Sequence, residues 1–128
     1  MLSNGQMMVG LNESGLVHDF YYPYVGLDNL TTARSVHHKI GVWVDGNFSW
    51  VDDEQWQATV NIDSDALIGI VILENKSLGL KIETRDFIDS QCNAFIRRLQ
   101  ITNMTDSYRD VRLFMHQVFE ISRSGRAD

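Results

Sequence analysis

The residues able to do acid–base, metal or nucleophilic chemistry are scattered along this 128-residue chain. Hydrolysis of sugars, phosphates or peptides commonly relies on a pair of carboxylates, and two acidic clusters stand out. Asp52-Asp53-Glu54 reads as a solvated turn. Asp63-x-Asp65 has oxygens for a calcium ion, but it lacks the following Asp/Asn, the Gly at the sixth place and the distal Glu of an EF-hand, so it too reads as a turn. The histidines are His18, His37, His38 and His116. If His37 and His38 are extended, their side chains leave opposite faces of a strand and cannot both grip one metal without a bulge. Cys92, the single cysteine, sits in the polar turn Ser90-Gln91-Cys92-Asn93 with nothing nearby to activate a thiol. No Gly-x-Ser-x-Gly elbow, phosphate-binding loop or Gly-x-Gly-x-x-Gly is present. The residues alone therefore predict no catalytic, metal or cofactor site.

The aromatic residues are more informative. Asp19 to Asn29 reads DFYYPYVGLDN and contains the only proline of the chain. Proline fixes φ near about -65° and biases the residue before it toward an extended backbone. Phe20, Tyr21, Tyr22 and Tyr24 are thus expected to project from a stiff, non-helical segment. Tyrosine offers a flat apolar face and a hydroxyl, which suits sugar stacking and protein interfaces alike. The plainer alternative is that Phe20 and one tyrosine close the end of a core. Trp43, Trp50 and Trp56 raise the same choice, since in a free-standing carbohydrate-binding module they would join the tyrosines as sugar platforms. Alternation favours core or interface packing for two of them: Trp43 lies in the apolar run Ile40 to Val44, and Trp50 shares a side with Phe48.

The elements that must position these residues have the two-residue period of half-buried strands, with no convincing helical stripe. Met7 to Leu11 and Leu16 to Tyr21 flank Asn12-Glu13-Ser14-Gly15, a connection of hairpin type. Lys39 to Val44 and Phe48 to Val51 flank Asp45-Gly46-Asn47, whose Asp-Gly pair is the strongest short-range hairpin signal. Ala58 to Ile62, Leu67 to Glu74, Leu80 to Asp89, Ala94 to Asn103 and Val111 to Glu120 follow, separated by polar turns. In Leu80 to Asp89, Leu80, Ile82, Thr84 and Ile88 share one face and Lys81, Glu83, Arg85 and Asp89 the other. Short strands with turns about every ten residues predict an all-β fold, an antiparallel β-sandwich.

Bulk properties bound the partners. A chain of this length with 44% hydrophobic residues suffices for one domain with a real core. The net charge of -6 repels phosphate backbones and anionic lipid, so neither nucleic acid nor membrane is an expected partner. One cysteine and an N-terminus without a basic, apolar leader predict a reduced, soluble, cytoplasmic protein. Asn-x-Ser/Thr triplets occur at Asn12, Asn29, Asn47, Asn75 and Asn103. Turn formation explains them better than glycosylation, because Asn, Ser and Thr side chains bond to nearby backbone in turns.

The run Leu2-Ser3-Asn4-Gly5, then Val9-Gly10-Leu11, Gly15-Leu16-Val17, Asp19 to Gly26, and Gly41 to Gly46 with Phe48-Ser49-Trp50, resembles the N-terminal domain of prokaryotic family-15 glycoside hydrolases, the glucoamylase and glucodextranase group. Ile101-Thr102-Asn103 and Val111 to Phe114 are similar to its later strands. The resemblance implies a large β-sandwich packed against a separate (α/α)6 barrel, which carries both catalytic glutamates for inverting hydrolysis of α-glucosidic bonds. It implies no catalytic residue in this chain. It further implies that residues 1–128 are one sandwich domain, the first part of a larger, truncated N-terminal domain of a longer hydrolase. On that basis the partner is the barrel of the same polypeptide, with α-glucan and a homodimer through uncovered sandwich faces as further possibilities. The loop bearing Tyr21, Tyr22, Pro23, Tyr24 and Asn29, with His37 nearby in sequence, is expected to face the barrel and help form the rim of its cleft.

Overall fold

The computed structural model describes residues 1–31 and 38–120. Among them there is no helix, hence none long and apolar enough to cross a membrane. Ten strands are present: β1 (Leu2–Ser3), β2 (Met8–Leu11), β3 (Val17–Tyr21), β4 (Lys39–Val44), β5 (Asn47–Trp50), β6 (Gln57–Asp63), β7 (Ile68–Asn75), β8 (Leu80–Ile88), β9 (Phe95–Asn103) and β10 (Val111–His116). They form three antiparallel sheets with orders β1-β2-β3, β10-β4-β5 and β6-β7-β8-β9. The expected all-β sandwich is therefore observed, with a third small sheet that turn chemistry alone does not assign. The last strand is shorter than its apolar pattern predicts, ending at His116 rather than Glu120.

The core lies between the two larger sheets. Ile40, Val42 and Val44 of β4 pack with Val71 and Leu73 of β7 and Leu80 and Ile82 of β8, joined by Leu16, Val51 and Trp56. These side chains come from alternate strand positions, as a period of two requires when one face is buried. A second cluster of Met7, Val9 and Val17, with Leu11, Phe20, Ile88 and Phe95, lies under the small sheet. Turn chemistry sets the registers. Asp45 at φ 51° and Gly46 at φ 80° make the tight β4–β5 turn, so Val44 pairs with Asn47 and Trp43 with Phe48. Arg109 reaches that turn, its Nε donating to Asp45 Oδ2 at 2.8 Å and its Nη2 lying 2.7 Å from the same oxygen, which helps lay β10 beside β4.

Most of the Asn-x-Ser/Thr asparagines prove to be turn formers. Asn12 Oδ1 accepts from the Ser14 and Leu16 N–H groups, Asn75 Oδ1 from Ser77 Oγ and Leu78 N–H, and Asn103 Oδ1 from Thr105 N–H and Oγ1. Each satisfies backbone that a tight turn would otherwise strip of partners.

An ion pair joins the small sheet to the rest. Asp86 on β8 and Arg97 on β9 are register partners on the inner face. Arg97 Nε and Nη2 donate to the two Asp86 carboxylate oxygens, both at 2.8 Å, and Nη2 also donates to the Gly15 carbonyl at 2.8 Å. The Asp86 side chain is 0% and that of Arg97 8% exposed. A buried charge is tolerated only with matched geometry and satisfied lone pairs. His38 makes the other joint: it bridges to Val17 of β3, and its Nε2 lies 2.6 Å from the Val118 carbonyl, to which it must donate.

Two predictions follow from these joints. Arg97→Met leaves Asp86 buried without a counter-charge and destabilises the fold by about 3–5 kcal/mol. Asp86→Leu combined with Arg97→Met removes both charges and costs less than Arg97→Met alone. Denaturant unfolding checks both, and a double variant no more stable than the single would refute them. Burial holds the His38 pKa below its ordinary 6.5, against the opposing hydrogen bond to Val118, with the charges of His116 and Arg97 adding to the lowering. The unfolded chain therefore binds a proton at His38 more readily than the folded one. This contribution makes stability fall as pH drops through 6.5, and it levels off below the folded-state pKa. Unfolding free energies between about pH 7.5 and 5 should decline more steeply for the wild type than for His38→Gln, and equal slopes would refute this.

Candidate functional site

The aromatic loop is built outward from a pinned base. The Asn29 side chain sits inside it, its Oδ1 accepting from Phe20 N–H at 2.9 Å and Thr31 N–H at 3.1 Å, while Nδ2 donates to the His18 carbonyl at 3.2 Å and to Asp19 Oδ1. Leu30 N–H donates to the Phe20 carbonyl, closing the segment on the end of β3. What lies between projects. Tyr21 and Pro23 are half-buried, whereas Tyr22, Tyr24, Val25 and Leu27 are exposed, Tyr24 at 64%. The Tyr22–Pro23 bond is cis. Tyr21, Tyr22, Pro23 and Tyr24 thus lie on one partly exposed loop, with Asn29 at its base as the residue that holds the loop's shape. His37 lies outside the described residues.

Below the loop base is a cavity of about 240 Å³, lined by Phe20, Phe95, Arg97, Met115, Phe119 and His38 among others. Its walls are rings set edge to face: Phe20 to Phe95 at 6.4 Å, Phe20 to Phe119 at 5.5 Å and His38 to Phe119 at 4.5 Å. The Arg97 guanidinium is already committed to Asp86 and Gly15. Among the described residues no carboxylate lines the space, so they offer packing there and no acid–base pair.

Among the described residues, no three His, Cys, Asp or Glu side chains are grouped to hold a metal. Asp89 accepts from the N–H groups of Gln91 and Cys92, which lowers its pKa. In turn Asp89 raises the pKa of the Cys92 thiol, the opposite of what a nucleophile needs.

Of the tryptophans, Trp56 cannot serve as a sugar platform: it is buried at 7% exposure and its Nε1 donates to Ser49 Oγ at 2.9 Å. Trp43 and Trp50 are instead half-buried on the outer side of the β10-β4-β5 sheet, with Phe48 and Phe114 exposed beside them. Residue-level alternation assigned these two to core or interface packing, and their outward position excludes the core. The signal for a shared outward face was the Asp45-Gly46 turn, whose register sets Trp43 against Phe48 and Gly41 against Trp50.

No protein-family profile matches the chain. It is 26% identical over 126 residues to an uncharacterized glycosyl hydrolase of Methanocaldococcus jannaschii, a match covering 97% of this chain and 19% of that protein. Its fold matches part of a bacterial glucoamylase solved in complex with acarbose, with a TM-score of 0.71 and 18% identity over 89% of this chain and 17% of the other. The chain thus spans under a fifth of the length of either protein. Across nearly its whole extent it is similar to a segment of a glycoside hydrolase, and it has the fold of a segment of a glucoamylase, the resemblance its motifs predict.

Proposed function

We propose that this chain is a noncatalytic accessory domain of a glucoamylase-like, family-15 glycoside hydrolase, docking on and supporting a separate (α/α)6 catalytic barrel in carbohydrate metabolism. The observation that carries this reading is a set of core-side residues that the described residues leave uncovered. Val60 on β6 pairs with Val71, which is 0% exposed, yet Val60 itself is 42% exposed, and Ile62 beside it reaches 60%. On the opposite flank Met115 pairs with buried Ile40 and Leu113 with buried Val42, yet they are 49% and 37% exposed. These side chains lie on the inner faces of the two sheets but on β6 and β10, which among the described residues are edge strands. Open apolar edges of this kind call for a neighbouring layer.

In this reading the tyrosine loop faces the barrel, with Tyr22 and Tyr24 at the rim of its cleft and Asn29 fixing the loop's shape. Bond cleavage belongs to the barrel. The inverting geometry of such enzymes, with carboxyls about 6.5–9.5 Å apart, is a property assigned to that barrel and to no residue here.

The test uses a glucoamylase-like enzyme carrying this segment. Tyr22→Ala with Tyr24→Ala lowers kcat/KM or the melting temperature there. Ile62→Asp changes the stability of the isolated chain by no more than about 0.5 kcal/mol, as for an exposed position, but lowers the melting temperature of the longer enzyme. Unchanged kinetics and melting in the longer enzyme for all three substitutions would sink the reading, as would hydrolysis of maltose by the isolated chain.

A further inference from the structure

The cavity below the tyrosine loop contains hydrogen-bond donors that the fold itself does not use. Arg97 is one of its wall residues, and the Arg97 side chain is only 8% exposed. A guanidinium carries five N–H donors in a fixed fork. The Nε N–H and both N–H groups of Nη2 go to the two Asp86 oxygens and the Gly15 carbonyl. The Nη1 N–H groups meet no acceptor among the described residues. Among those residues the fully enclosed polar side-chain atoms without a partner are Asn75 Nδ2 and Thr84 Oγ1. Nη1 is not one of them, so it faces accessible space, and the space that Arg97 lines is this cavity. A charged donor in such a place is costly until something accepts from it.

The other walls set the shape and charge of the acceptor. Val17, Phe20, Ile40, Phe95, Met115 and Phe119 make them largely apolar, and the rings of Phe20, Phe95 and Phe119 already hold one another edge to face. The volume of about 240 Å³ exceeds the roughly 150 Å³ that takes up benzene in an apolar cavity. One ring with a short substituent therefore fits. Met115 and Phe119, 49% and 44% exposed, mark the way in. Neighbouring donors are occupied: His38 Nε2 by the Val118 carbonyl, and Lys39 Nζ by Asp52 at 3.4 Å, on the Trp50 side of the sheet. The charge of Arg97 is balanced by Asp86, whose side chain is 0% exposed. A ligand carboxylate would bring a second anion to one buried cation and lose its own hydration; a neutral carbonyl oxygen accepts from Nη1 at a smaller desolvation cost. Water accepts as well, but only an apolar body gains from the ring and aliphatic walls. We infer that this cavity binds a compact neutral aromatic molecule with one carbonyl acceptor, an aryl ketone or amide, whose oxygen accepts from Arg97 Nη1. The inference goes beyond the accessory-domain reading and needs no catalytic partner.

The test is an NMR titration of the whole chain with acetophenone, ethylbenzene and benzoate, which share one ring and differ in the group beside it. Acetophenone gives saturable shifts in the methyl signals of Val17, Ile40 and Met115, with a Kd of about 0.1–10 mM for so small a ligand. Ethylbenzene, without an acceptor, and benzoate, with a charge, each bind about fivefold or more weakly. Phe119→Ala removes an exposed wall ring and weakens acetophenone binding about threefold or more. Tyr108→Ala, which removes a fully exposed ring outside the cavity, leaves it unchanged. If Phe119→Ala fails to fold by circular dichroism, the ligand series on the unaltered protein decides. No saturable shift, the result if water alone serves Nη1, or shifts centred elsewhere would overturn the inference. So would ethylbenzene or benzoate binding as tightly as acetophenone, or equal weakening by Tyr108→Ala. Because the titration uses this chain alone, its failure leaves the accessory-domain reading standing.

Discussion

The buried pairing of Asp86 with Arg97 is the constraint on which the rest of the structure depends. Removing two charges from water is costly, and the cost is offset only when each oxygen and each N–H finds a partner at short range. Nε and Nη2 of Arg97 meet that demand with the two carboxylate oxygens and the carbonyl of Gly15. Because Gly15 belongs to the turn between β2 and β3, satisfying the guanidinium also fixes where the small sheet lies. At φ 72°, and with the methyls of Val71 2.9 Å from where its Cβ would stand, Gly15 brings that turn directly onto β7. Phe20, Phe95 and His38 are then gathered around one cavity, and the tyrosine loop rises from the end of β3.

Much of this was legible as pattern, because a period of two leaves little choice where one face is buried. Lys39–Val44 has the limits its alternation predicts, and the Asp45-Gly46 turn lies where its residue types require. What pattern missed was polar chemistry on the buried side. Asp86 stands inward between Thr84 and Ile88 and Arg97 inward between Phe95 and Leu99, and each looks like a surface charge until the two strands are set in register. Nor does local turn chemistry say which sheet a hairpin joins. The first hairpin forms its own sheet because contacts distant in sequence, Arg97 with Gly15 and His38 with Val17, decide its place.

The candidate surfaces show the same division. The density of tyrosines around Pro23 pointed to projecting rings, of which Tyr22 and Tyr24 are exposed while Phe20 packs inward, and the role of Asn29 is visible only as hydrogen bonds to the chain on both sides of the loop. Trp43 and Trp50 looked like core or interface residues because each lies near apolar neighbours in sequence, and the structure excludes the core. They lie outside because those neighbours alternate with them: Val42 and Val44 point in, so Trp43 points out. The sheet is therefore aliphatic within, while its outer side mixes aromatic rings with Lys39, Arg112 and His116.

The pairing of β4 with β10 has a consequence for the order in which the molecule can assemble. Val44 meets Val111 and Lys39 meets His116, whereas β6 to β9 form a meander whose members follow one another directly. Closing the long loop between β4 and β10 carries an entropic cost that the meander's short turns avoid. During synthesis the β4–β5 hairpin leaves the ribosome long before β10, and until β10 arrives it has only one of its two flanking strands. The inner residues of β4 must wait in that interval, so the first hairpin made for this sheet is among the last to be completed.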